Sequence, residues 1–169
     1  MGAIRKASGV KLIASILSAD ESLFDEVSRR LERMFGPIDF TSNILDFTHT
    51  DYYSGQMGPR LKRIIVAFGR PVDPAISYRT KISTNRLEKR YESNGKRRVN
   101  IDPGFLTHAK LVLYSTKDHS HRIYIAGGIF AELTLYYRGG RYNPWPWTYP
   151  DYASSEYADI FGEIRARIK

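Results

Sequence analysis

Apolar residues in this chain fall into short runs separated by polar, glycine-rich or proline-rich breaks. Val10 to Leu17 is a compact apolar run and reads as a first, central strand. Ser18-Ala19-Asp20-Glu21 follows with the Ser-x-x-Glu spacing of a capping box, so a helix is expected to run to about Met34. Leu23, Val27 and Leu31 recur every four residues with Phe24 and Phe35 beside them, and Gly36-Pro37 stops the helix. Ile38 to Phe47 alternates loosely and predicts a second strand. Leu61 to Phe68 predicts a third, after a turn-rich stretch with Gly55, Gly58 and Pro59.

Asp73-Pro74 has the form of a helix start, with the acid as cap and proline at the first helical position. The helix is expected from Ala75 to Glu92 with a break, re-capped at Ser83 or Thr84 and ended by Asn94-Gly95. Val99 to Ile101 predicts a short strand, closed by a turn at Asp102-Pro103-Gly104. Thr107 to Ser115 fits helix or strand, because Leu111-Val112-Leu113 has no decisive period. Arg122 to Ala126 and Ile129 to Tyr137 flank Gly127-Gly128, a strong hairpin signal. Arg138-Gly139-Gly140-Arg141 predicts a second turn, and Tyr142 to Tyr152 holds too much proline for regular structure. Ser155 to Ile168 places Ile160, Phe161, Ile164 and Ile168 on one helical face.

The order β-α-β-β-α-β, then a hairpin and a last helix, predicts an α+β fold. It calls for a mixed or mostly antiparallel sheet with helices packed on one face, ferredoxin-like at its N-terminal part. Residues 1–9 read as a flexible N-terminus and residues 10–169 as a single domain.

At 169 residues and 42% hydrophobic content, the chain has the composition of an ordinary folded domain. Its longest apolar runs, such as Ile64 to Phe68, are strand-sized, and the first residues lack the apolar stretch of a secretion signal. Cysteine is absent, which removes disulfides, thiol nucleophiles and cysteine-held zinc. These features fit a cytoplasmic protein with no membrane partner. A formal net charge of +8 favours an anionic partner, although a solvated or ion-pair-rich surface produces the same excess.

Four polar-aromatic clusters stand at expected strand ends: Asp46 to Tyr53, Asn100 to Gly104, Lys117 to Arg122 and Trp147 to Tyr152. Buried Asp, His, Tyr and Arg each need a partner, so such clusters suggest a site. No Gly-x-x-x-x-Gly-Lys-Ser/Thr loop is present, which argues against a conventional phosphate-loop enzyme. His49, Asp51, His119 and His121 are metal-ligand types, but without a recognised ligand spacing. Glu132 sits on an expected strand with Phe130, Thr134 and Tyr136 on its face. An ion pair with Arg122 across the hairpin is its simplest role, and a general base or ligand anchor the alternatives. Lys96-Arg97-Arg98 precedes Asn100 and Asp102; extended backbone would set Arg98 with Asn100 and Asp102, and Arg97 opposite. Cations beside Asn and Asp suit phosphate, with a solvated basic turn as the alternative. Trp145-Pro146-Trp147-Thr148-Tyr149-Pro150 reads as a rigid strap over the sheet or a stacking platform for bases.

Several segments together resemble the domain of unknown function 4416 family, which is prokaryotic and of about this length. They include Phe35-Gly36-Pro37-Ile38-Asp39-Phe40, Thr50-Asp51-Tyr52-Tyr53, Asn94 to Gly104, His121-Arg122-Ile123-Tyr124 and Trp147 to Tyr152. The resemblance runs from Val10 to Tyr152, with Gln56 and His119 departing from the commoner Glu and Tyr. What it implies about function is slight: some members are labelled GTP-binding.

The expectation is therefore a site for a nucleotide or other phosphorylated ligand, with or without metal-assisted phosphate chemistry. Arg97, Arg98 and Lys110 would neutralise the anion, with Asn100, Arg122 and Tyr52 as further binding residues. Asp51, Asp102 and Glu132 would move a proton or hold a divalent metal, with His121 assisting. Asp51, Asp102 and His121 form the candidate metal set. The alternatives are an RNA-binding module without enzymatic activity, and a protein-interaction domain using the last helix. Oligomeric state is not legible in the sequence.

Overall fold

The structure is a computed structural model and describes residues 2–48, 57, 58 and 60–169. Its axis is strand β1 (Lys11–Ser18), buried at every position, Lys11, Ser15 and Ser18 included. Strands β4 (Lys62–Phe68) and β5 (Asn100–Leu106) flank β1, both antiparallel to it. Beyond β4 lie β2 (Ile38–Thr41) and β3 (Leu45–Asp46); beyond β5 lie β6 (Lys110–Ser115), β8 (Ile129–Arg138) and β7 (Arg122–Ala126). Strand β9 (Arg141–Pro144) also pairs with β8. The result is a nine-stranded sheet of order β2-β4-β1-β5-β6-β8-β7, and every pairing in it is antiparallel.

Helix α1 (Leu23–Phe35) buries Leu23, Phe24, Val27 and Leu31, the stripe seen in the sequence. They pack on Leu12, Ile16, Ile64, Val66 and Phe68, joined by Leu87 of helix α2 (Arg79–Lys89). Helix α3 (Ser155–Ala166) covers the opposite face, where Phe161 and Ile164 meet Ile13, Ile65, Leu106 and Leu135. The fold is α+β, and with the two-residue β3 set aside, β1-α1-β2-β4-α2-β5 has the element order of a ferredoxin-like unit. The expectation of helices on one face is corrected. Strands β1 and β4 are buried on both sides, mostly by apolar residues, so each face needs a cover.

Several local expectations also change. Ser18 does not cap α1: its hydroxyl donates to the Arg98 carbonyl at 2.9 Å and accepts from the Asp20 N–H, which holds it to the end of β1. The expected strand over Ile38 to Phe47 is cut in two, because the Ser42 hydroxyl takes the Ile65 N–H at 2.9 Å in place of a carbonyl. The second helix starts only at Arg79, and Thr84 lies within it, donating to the Lys81 carbonyl rather than capping. The ambiguous segment before Ser115 is strand β6. Most consequential, Asp102-Pro103-Gly104 is no turn: β5 runs straight through it. Both hairpin glycine pairs form as expected, with φ of 60° and 77° at Gly127 and Gly128. Among the described residues, no helix is long and apolar enough to cross a membrane.

Candidate functional site

Pro103 explains both the misread strand and the site. Residues 101 and 103 of β5 turn their backbone groups to the same side, and at residue 103 there is no N–H to offer. Strand β6 joins β5 only at Gly104, Phe105 and Leu106, opposite Leu113, Val112 and Leu111. Before Gly104 the two strands part. The exposed edge at Ile101 is closed by two charged side chains of α2. Glu88 Oε1 accepts the Ile101 N–H at 2.8 Å, and Lys81 Nζ donates to the Ile101 carbonyl at 2.8 Å. Lys81 and Glu88 are two helical turns apart and so share a face. Together they supply the donor and acceptor that a neighbouring strand would have supplied. Gly104 is where the strands come back together; a Cβ there would lie 2.8 Å from Leu113 Cδ2 and closer still to the Val112 carbonyl oxygen.

The parting opens a cleft of about 490 Å³. One wall is a polar chain on β5 and the segment before it. Arg97 Nη1 donates to Asn100 Oδ1 at 2.8 Å, Asn100 Nδ2 donates to Asp102 Oδ2 at 2.7 Å, and Lys81 Nζ reaches Asp102 Oδ1 at 3.1 Å. The facing wall belongs to the β7–β8 hairpin. Arg122 Nε donates to Glu132 Oε2 at 2.9 Å, and Arg122 Nη1 donates to the Ser115 hydroxyl at 3.0 Å. The third side is the strap from Tyr149 to Tyr152, anchored by a buried ion pair between Asp151 and Arg63. The Arg63 guanidinium also lies 4.5 Å from the centre of the Phe47 ring and 5.4 Å from that of Tyr152.

Among the described residues the lining holds six cations (Arg63, Lys81, Lys89, Arg97, Lys117, Arg122) and five carboxylates (Glu88, Glu92, Asp102, Glu132, Asp151). Their ionisation follows from their neighbours. Burial alone would raise the Asp102 pKa, but the Lys81 ammonium, its hydrogen bond and Arg63 outweigh it and hold Asp102 below the usual value. Its side chain remains 30% exposed to the cleft. Glu88 goes the other way: burial raises its pKa, and Lys81, 3.8 Å away, only partly offsets it. Burial alone would weaken the Arg63 charge, but the Tyr152, Tyr157 and Asp151 oxygens around it favour the cation, and its pKa is raised. Burial pushes the Tyr152 phenol up.

Of the residues singled out in the sequence, Arg97, Asn100, Asp102, Arg122 and Glu132 line this one cleft. The Arg122–Glu132 ion pair across the hairpin is the one the sequence suggested. His121 stands behind Glu132, its Nε2 3.1 Å from Glu132 Oε2 and its ring stacked between His119 and Trp147. Arg98 is not with Asn100 and Asp102: it pairs with Asp20 at 2.8 Å, while Arg97 makes the Asn100 contact. The reversal arises because the strand begins only at Asn100, so alternation does not extend back to Arg98. Lys110 is exposed at the start of β6 and does not line the cleft. Asp51 and Tyr52, like His49, lie outside the described residues. Among the described residues, no three His, Asp or Glu side chains group to hold a metal ion; Asp102 is bound to Lys81 and Asn100, and His121 to Glu132.

Sequence reasoning missed Lys81, Glu88 and Arg63; Asp151 and Tyr152 belong to the marked cluster from Trp147 to Tyr152, where neither was given a role of its own. A signal existed for Arg63, a charge inside the apolar run Leu61 to Phe68, and for Lys81 and Glu88, spaced seven apart on one helical face. No curated protein and no solved structure matches the chain. The family described as Domain of unknown function (DUF4416) matches residues 8–167, which takes in every cleft residue named above, and the chain belongs to that family.

Proposed function

We propose that the cleft binds a small phosphorylated ligand, a nucleotide or a metabolite of similar size. The observation that carries this reading is the convergence of Arg97, Asn100, Asp102, Arg122 and Lys81 on one concavity of about 490 Å³. That volume lies in the range of small-molecule sites. The acids of the lining have partners of their own: Asp151 with Arg63, Glu132 with Arg122, Asp102 with Lys81. Lys89 and Arg97 sit on the same lining, and Arg97 has a planar fork suited to phosphate oxygens. Metal enters this reading only with the ligand, as a divalent ion held mainly by its phosphates.

The test is a thermal-shift series with GTP, ATP, inorganic pyrophosphate and sugar phosphates, each with and without Mg²⁺. A ligand at about 100 times its Kd stabilises by about 2.7 kcal/mol. For a chain of this size that is a rise of roughly 5–10 °C. Arg97→Ala, which removes a cation on the cleft lining without opening a core, is expected to abolish most of the rise. No shift with any of these compounds sinks the reading. Salt-sensitive retention of RNA under the same conditions would then favour the RNA-binding alternative.

A further inference from the structure

We propose that Ser15, Arg63 and Tyr152 form a subsite at the floor of the cleft that takes an oxygen acceptor from the uncharged end of the ligand. The proposal rests on the reading of the cleft as a phosphorylated-ligand site. Ser15 Oγ, Arg63 Nε and the Tyr152 hydroxyl are all buried, and among the described residues none has a hydrogen-bond partner. Buried polar atoms without partners are rare, and three in one place call for an explanation. They share one side of the sheet. Ser15 lies opposite Asp102 and Arg63 opposite Leu17, two residues along β1, so their side chains point the same way. Tyr152 comes down from the strap, and its hydroxyl approaches that of Ser15 without reaching bonding geometry. The fourth such atom, Trp145 Nε1, belongs to a residue outside the cleft lining.

Packing does not require these polar atoms. Alanine at position 15 and phenylalanine at 152 would fill the same space and remove two unpaired hydroxyls. What the groups do provide is three N–H and O–H donors together. The charges around them are already balanced, Arg63 by Asp151 and Lys81 by Asp102. A second full anion is therefore poorly served at the floor, whereas a carbonyl or ether oxygen is well served. Arg63 and Tyr152 line the cleft and Ser15 lies behind that lining, so a ligand oxygen reaches the three donors only when the Tyr152 ring gives way, or through one bridging water. The ligand then lies with its phosphates toward Arg97 and Lys89 and its neutral, oxygen-bearing end toward Tyr152.

The test is calorimetric titration of the wild type, Tyr152→Phe, Ser15→Ala and Arg97→Ala with two probes. GTP carries phosphates and a carbonyl-bearing ring; inorganic pyrophosphate carries phosphates alone. Tyr152→Phe and Ser15→Ala are expected to bind GTP about ten-fold more weakly, the size of one lost hydrogen bond. They should bind pyrophosphate as the wild type does, and melt at the same or a higher temperature. Unchanged GTP affinity in both variants overturns the proposal, as does an equal loss for both probes, since the phosphate would then be the group being read. If GTP binding is lost in Arg97→Ala but kept in Tyr152→Phe and Ser15→Ala, the cleft reading stands and only the subsite falls. A wild type that binds neither probe ends both.

Discussion

Each buried or half-buried carboxylate around the cleft meets its desolvation cost differently. Asp151 has Arg63; Glu132 has Arg122, His121 and the Thr134 hydroxyl; Asp102 has Lys81 and Asn100. Glu88 has the weakest compensation, a backbone N–H and a lysine 3.8 Å away, and burial raises its pKa above the ordinary glutamate value. A carboxyl raised on folding contributes stability that is full below its unfolded pKa and lost as pH rises through the folded one. Asp102, lowered on folding, has the opposite sign: its contribution is present above its unfolded pKa near 3.8 and lost as pH falls through the folded value. Glu88→Gln keeps an oxygen for the Ile101 N–H and removes the charge. The melting temperature of the variant relative to the wild type should therefore improve as pH rises from about 4.5 toward neutrality. A difference that stays constant over that range would mean Glu88 has no perturbed titration. At this scale the sequence was partly legible. The Arg122–Glu132 pair follows from hairpin register, but Lys81 meeting Ile101 depends on a helix crossing a sheet, which no local pattern encodes.

Strand β5 is where element-scale reading both failed and matters most. Asp-Pro-Gly is strong turn chemistry when nothing else acts on the chain. Here seven successive residues of β5, from Asn100 to Leu106, pair with β1, and that ladder overrides the local preference. Proline is tolerated because its missing N–H falls on the parted side, as on an edge strand. Glycine is needed for a different reason: β6 closes on β5 at that point. Gly104→Ala should destabilise by about 1–3 kcal/mol or more through overpacking, read as a lower midpoint in urea unfolding. A loss below about 0.5 kcal/mol would mean the strands adjust freely there. Elements set by their own residues were read well: the Gly127-Gly128 hairpin, the α1 stripe and the apolar face of α3. Those set by neighbours, such as the division of the segment from Ile38 to Phe47 by Ser42, were not.

The sheet as a whole is unevenly supported. Strands β1 and β4 are buried almost throughout, with helices over both faces. The β6–β9 part meets the rest of the sheet through three residue pairs between β5 and β6, supplemented by the buried Ser77–Tyr114 bond just before α2 and by α3, which packs on both parts. Its outer strand β7 leaves Ile123 and Tyr124 exposed, 72% and 59% respectively. Local opening free energy follows burial and hydrogen-bond protection, so the two parts should not open together. Hydrogen exchange is expected to be slowest in β1 and β4 and at least about ten-fold faster in β7, with β8 between them. Because the cleft lies across the join, GTP that bridges Arg97 on one wall and Arg122 on the other should slow exchange in β7 and β8 and leave β1 nearly unchanged. Equal protection of β1 and β7 without ligand would show that the narrow join is no weak point. The cleft would then be a fixed gap between strands whose width a ligand does not alter.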